Sequence, residues 1–497
     1  MKKINYFSLC ILALFSCKNK SAESENIERK ISQQPNILFI CVDDLRPELG
    51  CYGSEYIHSP NIDELAQTGA VFTNHFVSIP TCGASRSSLL TGMYPRTKGH
   101  LSNEAIHKLI SGKPETEAPE TFIHHLRRNG YYTVGIGKIS HYADGLLYGY
   151  TDSVGSELEL PHSWDEMLFD PGKWETGWNA FFGYADGENR QSLNRQVAPY
   201  EKGDVEDIGY PDGLTANLAL SKLAELAQKK QPFFLGVGFF KPHLPFNAPA
   251  KYWDLYKEED LPLSPNPAIP ANVHKASLHA SGEFNGYRLG DEQASLEGPV
   301  SDAYARKLRH AYFACISYVD AQVGKLLGEL DELGLAENTV VVLWGDHGWH
   351  LGDQLVWGKH TIFERALKSA FIVRVPGMTT GQTVNRVVST VDIYPTLMDL
   401  CEVAMPHVTD GRSMLPFLGD KPAEWDDEAF GYFRNGISLR TDRYRLSKYF
   451  RQEEPVIELY DHLTDPHETK NIAAEHPEVI EKLMPVWEKG NTGLYEK

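Results

Sequence analysis

The sequence predicts an α/β protein, in which a mostly parallel sheet is sandwiched by helices and followed by a small C-terminal antiparallel subdomain. Short apolar runs that end in polar residues recur along the chain, as is typical of buried parallel strands. Segments with helix start and stop signals lie between these runs, so we expect helices on both faces of the sheet. After about Pro416 the pattern changes to the alternation of antiparallel strands.

The predicted elements follow in chain order. The buried parallel strands are NILFICVDD, YYTVGIGK, PFFLGVGFFKPH, TVVVLWGDHG and SAFIVRVPG. One predicted helix has Ser59 as its cap and Pro60 at its first position, a second ends at Gly130, and the longest begins at SDAYARKL. Beyond them, ISLRTDRYRLSKYF predicts two strands joined by a Thr-Asp turn, and PEVIEKLMPVWEKG predicts a short helix.

The N-terminus has the features of a targeting segment. Lys2 and Lys3 precede an apolar run that is short for a membrane span, and this run ends at Cys17 in LFSC. The ending resembles the bacterial lipobox, whose cysteine becomes the lipidated first residue of the mature protein. Residues 18–34 are polar and lack aromatics, as in a flexible tether. We therefore expect a lipid-anchored protein of the bacterial cell envelope, on the periplasmic or outer-membrane surface; the alternative is a cleaved signal with an incidental cysteine.

The domain prediction combines these boundaries. A signal segment at 1–17 and the tether at 18–34 precede a main domain at 35–418 and a C-terminal subdomain at 419–497. A chain of 497 residues exceeds the size at which a single core usually stops growing, which agrees with more than one domain.

Charge and cysteine content exclude several classes of function. The 48 lysines and arginines against 67 acidic residues give a net charge of −19, which opposes binding to nucleic acid. An anionic substrate therefore needs a local cluster of positive groups. The cysteines lack CxxC spacing, so neither a thiolate zinc site nor a disulfide framework is indicated. Cys41 and Cys315 lie in apolar runs and are expected to be buried.

Polar residues collect at the carboxyl ends of the predicted strands, where ligands of such sheets bind. They are Asp43, Asp44, Lys138, His141, Lys241, His243, Asp346 and His347. Adjacent carboxylates repel each other unless a cation lies between them, and Asp346 at a second strand end completes a set suited to Ca²⁺ or Mg²⁺. His347 adds a nitrogen ligand or a neighbouring donor. The alternative for an isolated Asp-Asp pair is a solvated turn.

The segment TCGASRSSLLTG places Cys82 at a helix start, with Arg86 one turn further on. The positive end of the helix dipole favours bound anions there. The alternatives are a buried thiol or a cysteine nucleophile of low pKa. Beside a hard cation and several lysines and histidines, the arrangement favours an oxyanion site.

These motifs resemble those of the type I sulfatases of the alkaline-phosphatase-like superfamily. Their Cys-x-Pro/Ala/Ser-x-Arg signature stands here as Cys82-Gly83-Ala84-Ser85-Arg86, although proline or serine is commoner at Ala84. The likeness extends through HSPNIDELAQTG, GKISH, KPHLPF and GDHGWHLGDQ to ELYDHLTDPHETKNIA. GKISH, KPHLPF and the Asp-His pair are most similar to the iduronate-2-sulfatase branch. The resemblance makes 35–418 a catalytic domain.

The resemblance implies a chemistry for each site residue. A formylglycine-generating or sulfatase-maturating enzyme oxidises Cys82 to Cα-formylglycine, and a hydroxyl of its hydrate attacks sulfur. Arg86, Lys138 and Lys359 neutralise charge on the sulfuryl group. His243 protonates the leaving alcohol, and His141 takes the proton whose loss expels sulfate. The expected Ca²⁺ ligands, with Mg²⁺ as the alternative ion, are Asp43, Asp44, Asp346, His347 and the oxygen at position 82. Taken singly, the lysines and histidines are also compatible with structural roles.

The expected substrate is a sulfated, uronate-bearing polysaccharide or oligosaccharide, with a 2-O-sulfate beside a carboxylate. In the aromatic loop 162–191, Trp164, Trp174 and Trp178 are candidates to stack on sugars, or else to anchor the loop in its own small core. Two rival functions remain: a phosphoester or phosphonate hydrolase of the same superfamily, and a non-catalytic glycan-binding lipoprotein.

Overall fold

The computed structural model describes Met1 and residues 34–113, 117–378, 381–419, 424–452 and 454–495. The predicted lipidation site Cys17, the signal segment beyond Met1 and the tether before Gln34 lie outside the described residues. Within the described ranges, no helix is both long and apolar enough to cross a membrane.

Strands and helices alternate through most of the chain, as predicted. The strands are β1 Asn36–Val42, β2 Ala70–Phe76, β3 Tyr132–Gly137, β4 Glu166–Leu168, β5 Tyr200–Gly203, β6 Phe233–Phe239, β7 Phe246–Pro249, β8 Thr339–Gly345, β9 His350–Leu351, β10 Trp357–Gly358, β11 Phe371–Arg374, β12 Gln382–Ser389, β13 Ala429–Phe433, β14 Gly436–Arg440, β15 Tyr444–Tyr449 and β16 Val456–Asp461. The helices are α1 Pro60–Gln67, α2 Cys82–Thr91, α3 Ala105–Leu109, α4 Phe122–Arg128, α5 Gly177–Phe181, α6 Pro211–Leu226, α7 Ala250–Trp253, α8 Asp302–Glu332, α9 Glu364–Leu367, α10 Ile393–Leu400 and α11 Pro477–Lys489.

The main sheet has the strand order β12-β2-β11-β8-β1-β6-β3-β4. Every neighbouring pair in it is parallel except the two pairs that β11 makes with β2 and β8. The prediction that SAFIVRVPG forms a parallel strand is therefore wrong. The chain between β8 and β11 stays at the carboxyl edge of the sheet, where Phe371 pairs with Trp344, so β11 must run back in the opposite direction.

Both faces of the sheet are buried, as its continuous apolar strands predict. In β1, Leu38 and Ile40 pack into a core with α1, α6 and α8, whereas Ile37 and Phe39 pack into a second core with α2, α4 and α10. The side chains of one strand thus alternate between two helical layers. This three-layer arrangement leaves the carboxyl ends of the central strands as the place for a site.

The longest helix holds one of those strand ends in place. The Ser301 side chain caps α8 by accepting the N–H of Tyr304. From the middle of this helix, the hydroxyl of Tyr312 donates to the Asp44 carbonyl at 2.6 Å and accepts the Arg46 N–H at 3.2 Å. The turn that follows β1 is therefore fixed to the helical layer.

A four-stranded antiparallel sheet, β13-β14-β15-β16, forms the C-terminal part. The predicted strand pair corresponds to β14 and β15, and the predicted short helix to α11. The indole of the buried Trp487 on α11 donates to the Ile437 carbonyl at 3.0 Å and joins the helix to the sheet. The antiparallel prediction is confirmed, and the boundary at residue 419 stays a prediction.

Candidate active site

Two strand ends bring the predicted acidic residues together. Because β1 and β8 pair in parallel with Val42 opposite Gly345, the residues that follow each strand emerge side by side. The backbone N–H of Asp44 donates to Asp346 Oδ1 at 2.9 Å. Asp43, Asp44 and Asp346 are completely buried. Such carboxylates need positive partners at close range.

The predicted metal ligands form a compact group. One ligand atom each from Asp43, Cys82, Asp346 and His347 lies within 4.8 Å of the others. Asp44 lies beside them, with Oδ1 3.1 Å from His347 Nδ1. Carboxylate oxygens dominate the donor set, which fits a hard divalent ion such as Ca²⁺. The residues present therefore fit the expected cation.

Cys82 is the first residue of α2, as predicted, and its side chain points into this group. Its Sγ lies 3.4 Å from Asp43 Oδ1 and 3.2 Å from His347 Nε2. Burial raises the pKa of the Cys82 thiol to about 12, so the encoded side chain is protonated at neutral pH. Gly83 is required next to it, because a Cβ there would meet the Asn103 carbonyl oxygen at 2.2 Å.

Arg86 braces the site from within α2. Its Nε and Nη2 lie 3.1 and 3.0 Å from Asp346 Oδ2. Its Nη1 donates to the Ile139 carbonyl at 3.1 Å and also to the Lys138 carbonyl. Arg86 thus orients Asp346 and ties β3 to the site, while its expected action on a sulfuryl group stays a prediction.

Two lysines supply positive charge beside the acidic group. Lys138 follows β3 and forms an ion pair with Asp43, and its ammonium lies 4.2 Å from the centre of the Phe181 ring. Lys359 follows β10, with Nζ 3.0 Å from Asp44 Oδ1 and 3.6 Å from Glu283 Oε2. Burial acts to lower the pKa of each lysine, but the surrounding carboxylates raise it by more, so both lysines carry charge.

His243 follows β6 and faces the same pocket. Its Nδ1 lies 2.6 Å from the Leu244 carbonyl oxygen, which assigns a donated proton to that nitrogen. Its Nε2 lies 3.1 Å from Glu283 Oε1 and 3.9 Å from Asp44 Oδ2. Burial lowers the pKa of His243 to about 4, and Lys359 acts in the same direction while Asp43 and Glu283 oppose it.

His141 lies in the turn after β3, where burial and Lys138 hold the pKa of its ring well below the usual range. The ring is therefore neutral. Its Nδ1 is buried without a hydrogen-bond partner among the described residues, and its ring centre lies 5.5 Å from that of Trp178. The backbone N–H groups of His141 and Tyr142 both donate to Glu159 Oε2 at 3.0 Å.

Glu159 gives the stability of this turn a pH dependence. Burial raises its pKa to about 7 from an ordinary value of 4.5, so between these values the folded chain holds a proton that the unfolded chain has lost. The free energy of unfolding is therefore expected to fall as pH rises through that window. Glu159→Gln removes this contribution, so denaturant midpoints measured from pH 5 to 8 should decline less in the variant. Parallel declines in the two proteins would contradict the assignment.

Sequence reasoning missed Glu283, which lies close to both His243 and Lys359. It belongs to an aperiodic segment between short turns, where no strand end or spacing marks it. The aromatic loop also differs from expectation, since it contains β4 and α5 as regular elements. Trp164, Trp174 and Trp178 are at most 5% exposed and serve as anchors of the loop, so the sugar-stacking interpretation is not supported.

Comparison with known proteins identifies the family. The family model described as Sulfatase matches residues 35–403. The chain belongs to the sulfatase family. A second model, described as N-sulphoglucosamine sulphohydrolase, C-terminal, matches residues 345–489. The resemblance drawn from the motifs is thus confirmed, and it includes the strand ends that form the site.

Individual sulfatases are similar over different spans. Iduronate 2-sulfatase of Mus musculus is 34% identical over 349 residues, which cover 69% of this chain and 60% of the mouse protein. Iduronate 2-sulfatase of Homo sapiens is also 34% identical, and the match covers 72% of this chain and 62% of the human protein. The chain thus spans about three fifths of the length of these relatives. A protein named sulfatase from Formosa agariphila is 29% identical, with coverages of 97% and 92%.

Solved structures share the fold at low identity. A phosphonate monoester hydrolase from Silicibacter pomeroyi superposes with a TM-score of 0.70 at 22% identity, covering 92% of this chain and 95% of that one. A structure in complex with its substrate D-glucosamine-2-N,6-O-disulfate gives a TM-score of 0.69 at 22% identity, with coverages of 92% and 97%. The predicted fold class, that of the sulfatases, is therefore confirmed.

Proposed function

We propose that this chain hydrolyses sulfate esters of glycans, with formylglycine derived from Cys82 as the nucleophilic residue. One observation carries the proposal: residue 82 begins α2, and its side chain points into a buried group of carboxylates, His347 and two lysines. The family match supports the reaction class. The ion pairs of Lys138 and Lys359 with carboxylates beside Cys82 are compatible with that chemistry.

Charge balance supports both the cation and the anionic substrate. The site carboxylates belong to Asp43, Asp44, Glu283 and Asp346, and the cations paired with them belong to Arg86, Lys138 and Lys359. With all four carboxylates ionised, four negative charges against three positive ones leave one negative charge. A bound divalent cation would reverse that sign, and a singly charged sulfate ester would then complete neutrality. When bound, the cation would supply Lewis acidity.

The residues of the chain divide the remaining work. Lys138 and Lys359 bind the sulfuryl oxygens and offset their charge, and Arg86 keeps Asp346 in position. With substrate bound, His243 Nε2 takes up a proton, which Glu283 Oε1 at 3.1 Å stabilises, and passes it to the oxygen of the departing alcohol. His141 is the residue assigned to accept a proton from the residue at position 82 when sulfate leaves, because its neutral ring has a buried Nδ1 without a partner among the described residues.

The substrate class follows from the relatives and remains part of the proposal. Proteins named iduronate 2-sulfatase are 34% identical, and one named ulvan-active sulfatase, from Formosa agariphila, is 28% identical. We infer a sulfated, uronate-bearing polysaccharide or oligosaccharide, with 2-O-sulfate as the bond cleaved. Anchoring to the bacterial envelope through Cys17 is part of the same proposal and suits a polysaccharide substrate outside the cytoplasm.

Peptide mass spectrometry combined with sulfate release tests the proposed function. Protein produced together with a maturation enzyme should carry, at position 82, an aldehyde that reacts with hydrazides and resists thiol alkylation. Cys315, which is also buried, should remain an alkylatable thiol after unfolding and so serves as the internal control. Sulfate release by protein whose Cys82 is unmodified would overturn the proposed mechanism.

Removal of divalent ions should lower thermal stability. A ligand that binds only the folded state raises the free energy of unfolding by about 2.7 kcal/mol at a hundred times its dissociation constant. Addition of Ca²⁺ to chelator-treated protein should therefore raise Tm in a concentration-dependent way, which differential scanning calorimetry measures. Asp346→Asn should weaken this response. An equal rise in Tm for the variant would show that Asp346 is not a ligand.

A further inference from the structure

Arg190 is a buried arginine that has no acidic partner among the described residues. Its side chain is 7% exposed, and its Nε has no hydrogen-bond partner among the described residues. The other buried arginines of the described chain each lie within 3.0 Å of a carboxylate oxygen; they are Arg46, Arg86, Arg309, Arg440 and Arg445. A guanidinium is always charged, so its burial without a counter-ion is unfavourable. The described neighbours of Arg190 therefore supply no anion to pair with its charge.

The position of Arg190 relates that missing anion to the active site. Its guanidinium carbon lies 3.5 Å from the centre of the Phe182 ring and 5.4 Å from that of Tyr287. The Phe182 ring also lies near His243, at 6.4 Å between ring centres. One aromatic ring thus separates Arg190 from the proposed proton donor. Because the donor faces the departing alcohol, Arg190 lies on the side of the leaving sugar.

The backbone around Arg190 is fixed before any ligand binds. The Arg190 N–H donates to the Phe182 carbonyl at 3.1 Å, and Gly183 pairs with Asn189 across the intervening turn. Asn247 donates to the Gly183 carbonyl at 3.0 Å from the segment that follows His243. The backbone that carries Arg190 is therefore held in place relative to the segment of His243, and such preorganisation favours binding.

Tyr150 is the solvent-exposed residue among the aromatic rings beside Arg190. It is 42% exposed, and its ring stands perpendicular to those of Trp178 at 4.6 Å and Phe182 at 5.5 Å. Burial raises the pKa of Tyr150, and the charges of Lys138, Glu283 and Arg190 also act on its phenol. The exposed Tyr150 ring thus packs against Phe182, the ring on which the Arg190 guanidinium also lies.

We propose that Arg190 binds a second anionic group of the substrate, carried by the leaving sugar or by its immediate neighbour. The ligand chemistry is an oxyanion, either a uronate carboxylate or a second sulfate, because a planar guanidinium pairs with either through two parallel hydrogen bonds. This inference rests on the proposed function and makes Arg190 a specificity-determining residue. Glycan sulfates with a second negative charge are thereby preferred over neutral esters.

Paired substrates test the inference with Arg190→Met. The set contains 4-nitrophenyl sulfate, a sulfated uronate disaccharide, the same disaccharide with its carboxyl reduced to an alcohol, and a disaccharide with two sulfates but no carboxylate. We expect kcat/KM to fall about tenfold to a hundredfold, mainly through KM, for whichever doubly anionic substrate is recognised. Turnover of 4-nitrophenyl sulfate and of the reduced disaccharide should change less than about twofold. Dependence on the carboxylate or on the second sulfate identifies the source of the anion.

Two further variants separate binding from structure. Arg190→Lys keeps the charge without the planar fork and should restore part of the selectivity. Arg288→Met removes an exposed arginine that follows Tyr287 and should leave all four substrates unaffected. An equal loss on every substrate with Arg190→Met, or no loss on any, would overturn the inference.

A binding measurement keeps the inference distinct from the proposed function. If the wild-type protein released sulfate from no ester, the proposed function would fail. Calorimetric titration with the desulfated uronate disaccharide, and with the disaccharide that has two sulfates but no carboxylate, would still test anion binding by Arg190. Weaker binding of either sugar to Arg190→Met than to wild type supports the anion site, and equal binding of both contradicts it.

Discussion

Replacement of Cys82 by serine is expected to abolish multiple turnover of sulfate esters, with a loss of about 10³-fold or more in kcat. The substitution exchanges one atom at the first residue of a wholly buried helix, so α2 and its contacts should survive. A serine hydroxyl can attack sulfur once, but it lacks the second hydroxyl whose deprotonation expels sulfate. The variant should therefore accumulate a sulfate ester on residue 82.

Steady-state sulfate release and intact-protein mass spectrometry measure both parts of this result. A maturation enzyme that accepts only cysteine must be used, so that the introduced serine stays unmodified. Cys315→Ser is the matched control: Cys315 is equally buried on α8, and its Sγ lies 3.5 Å from the Asn247 carbonyl, which can accept the new hydroxyl. Full turnover by Cys82→Ser would contradict formylglycine chemistry.

The location of the site was predictable from the sequence because of one geometric rule. Parallel strands place their carboxyl ends on one edge, so Asp43 after one apolar run and Asp346 after another had to meet. The helix beginning at Cys82 was predictable for a similar reason, since small residues and an arginine at helical spacing follow it. Local pattern and sheet geometry together therefore defined the centre of the site.

The periphery of the site lacked any comparable signal. Glu283 and Arg190 both belong to irregular connections, where neither hydrophobic period nor strand position indicates which side chain turns inward. The direction of β11 also escaped prediction, because an apolar run shows burial but not orientation. Only the path of the chain across the carboxyl edge decides these features, and that path depends on contacts far apart in sequence.

A buried ion network joins the C-terminal sheet to the helix that follows Lys359. Arg445 on β15 is 1% exposed, with Nε 2.5 Å from Glu468 Oε1, and it also forms an ion pair with Glu364 on α9. Arg440 adds a contact of 3.0 Å to Glu364, and the Glu364 N–H donates to Glu468 Oε2 at 2.9 Å. Glu364, His462 and Glu468 resemble a metal-binding group, but the two arginines already neutralise these carboxylates.

Arg445→Met is expected to destabilise the protein by about 3–5 kcal/mol, because it leaves two buried carboxylates short of a counter-charge. Urea unfolding followed by tryptophan fluorescence measures the loss, since the buried Trp487 lies on α11 against the same sheet. Arg443→Met is the matched control, because Arg443 is nearby in sequence and its side chain, which pairs with Asp461, is 43% exposed. Its unfolding midpoint should stay close to that of the wild type. Similar midpoints for both variants would show that the network contributes little. The apolar cluster that contains Leu367, Ala429 and Tyr449 would then hold α9 against the C-terminal sheet.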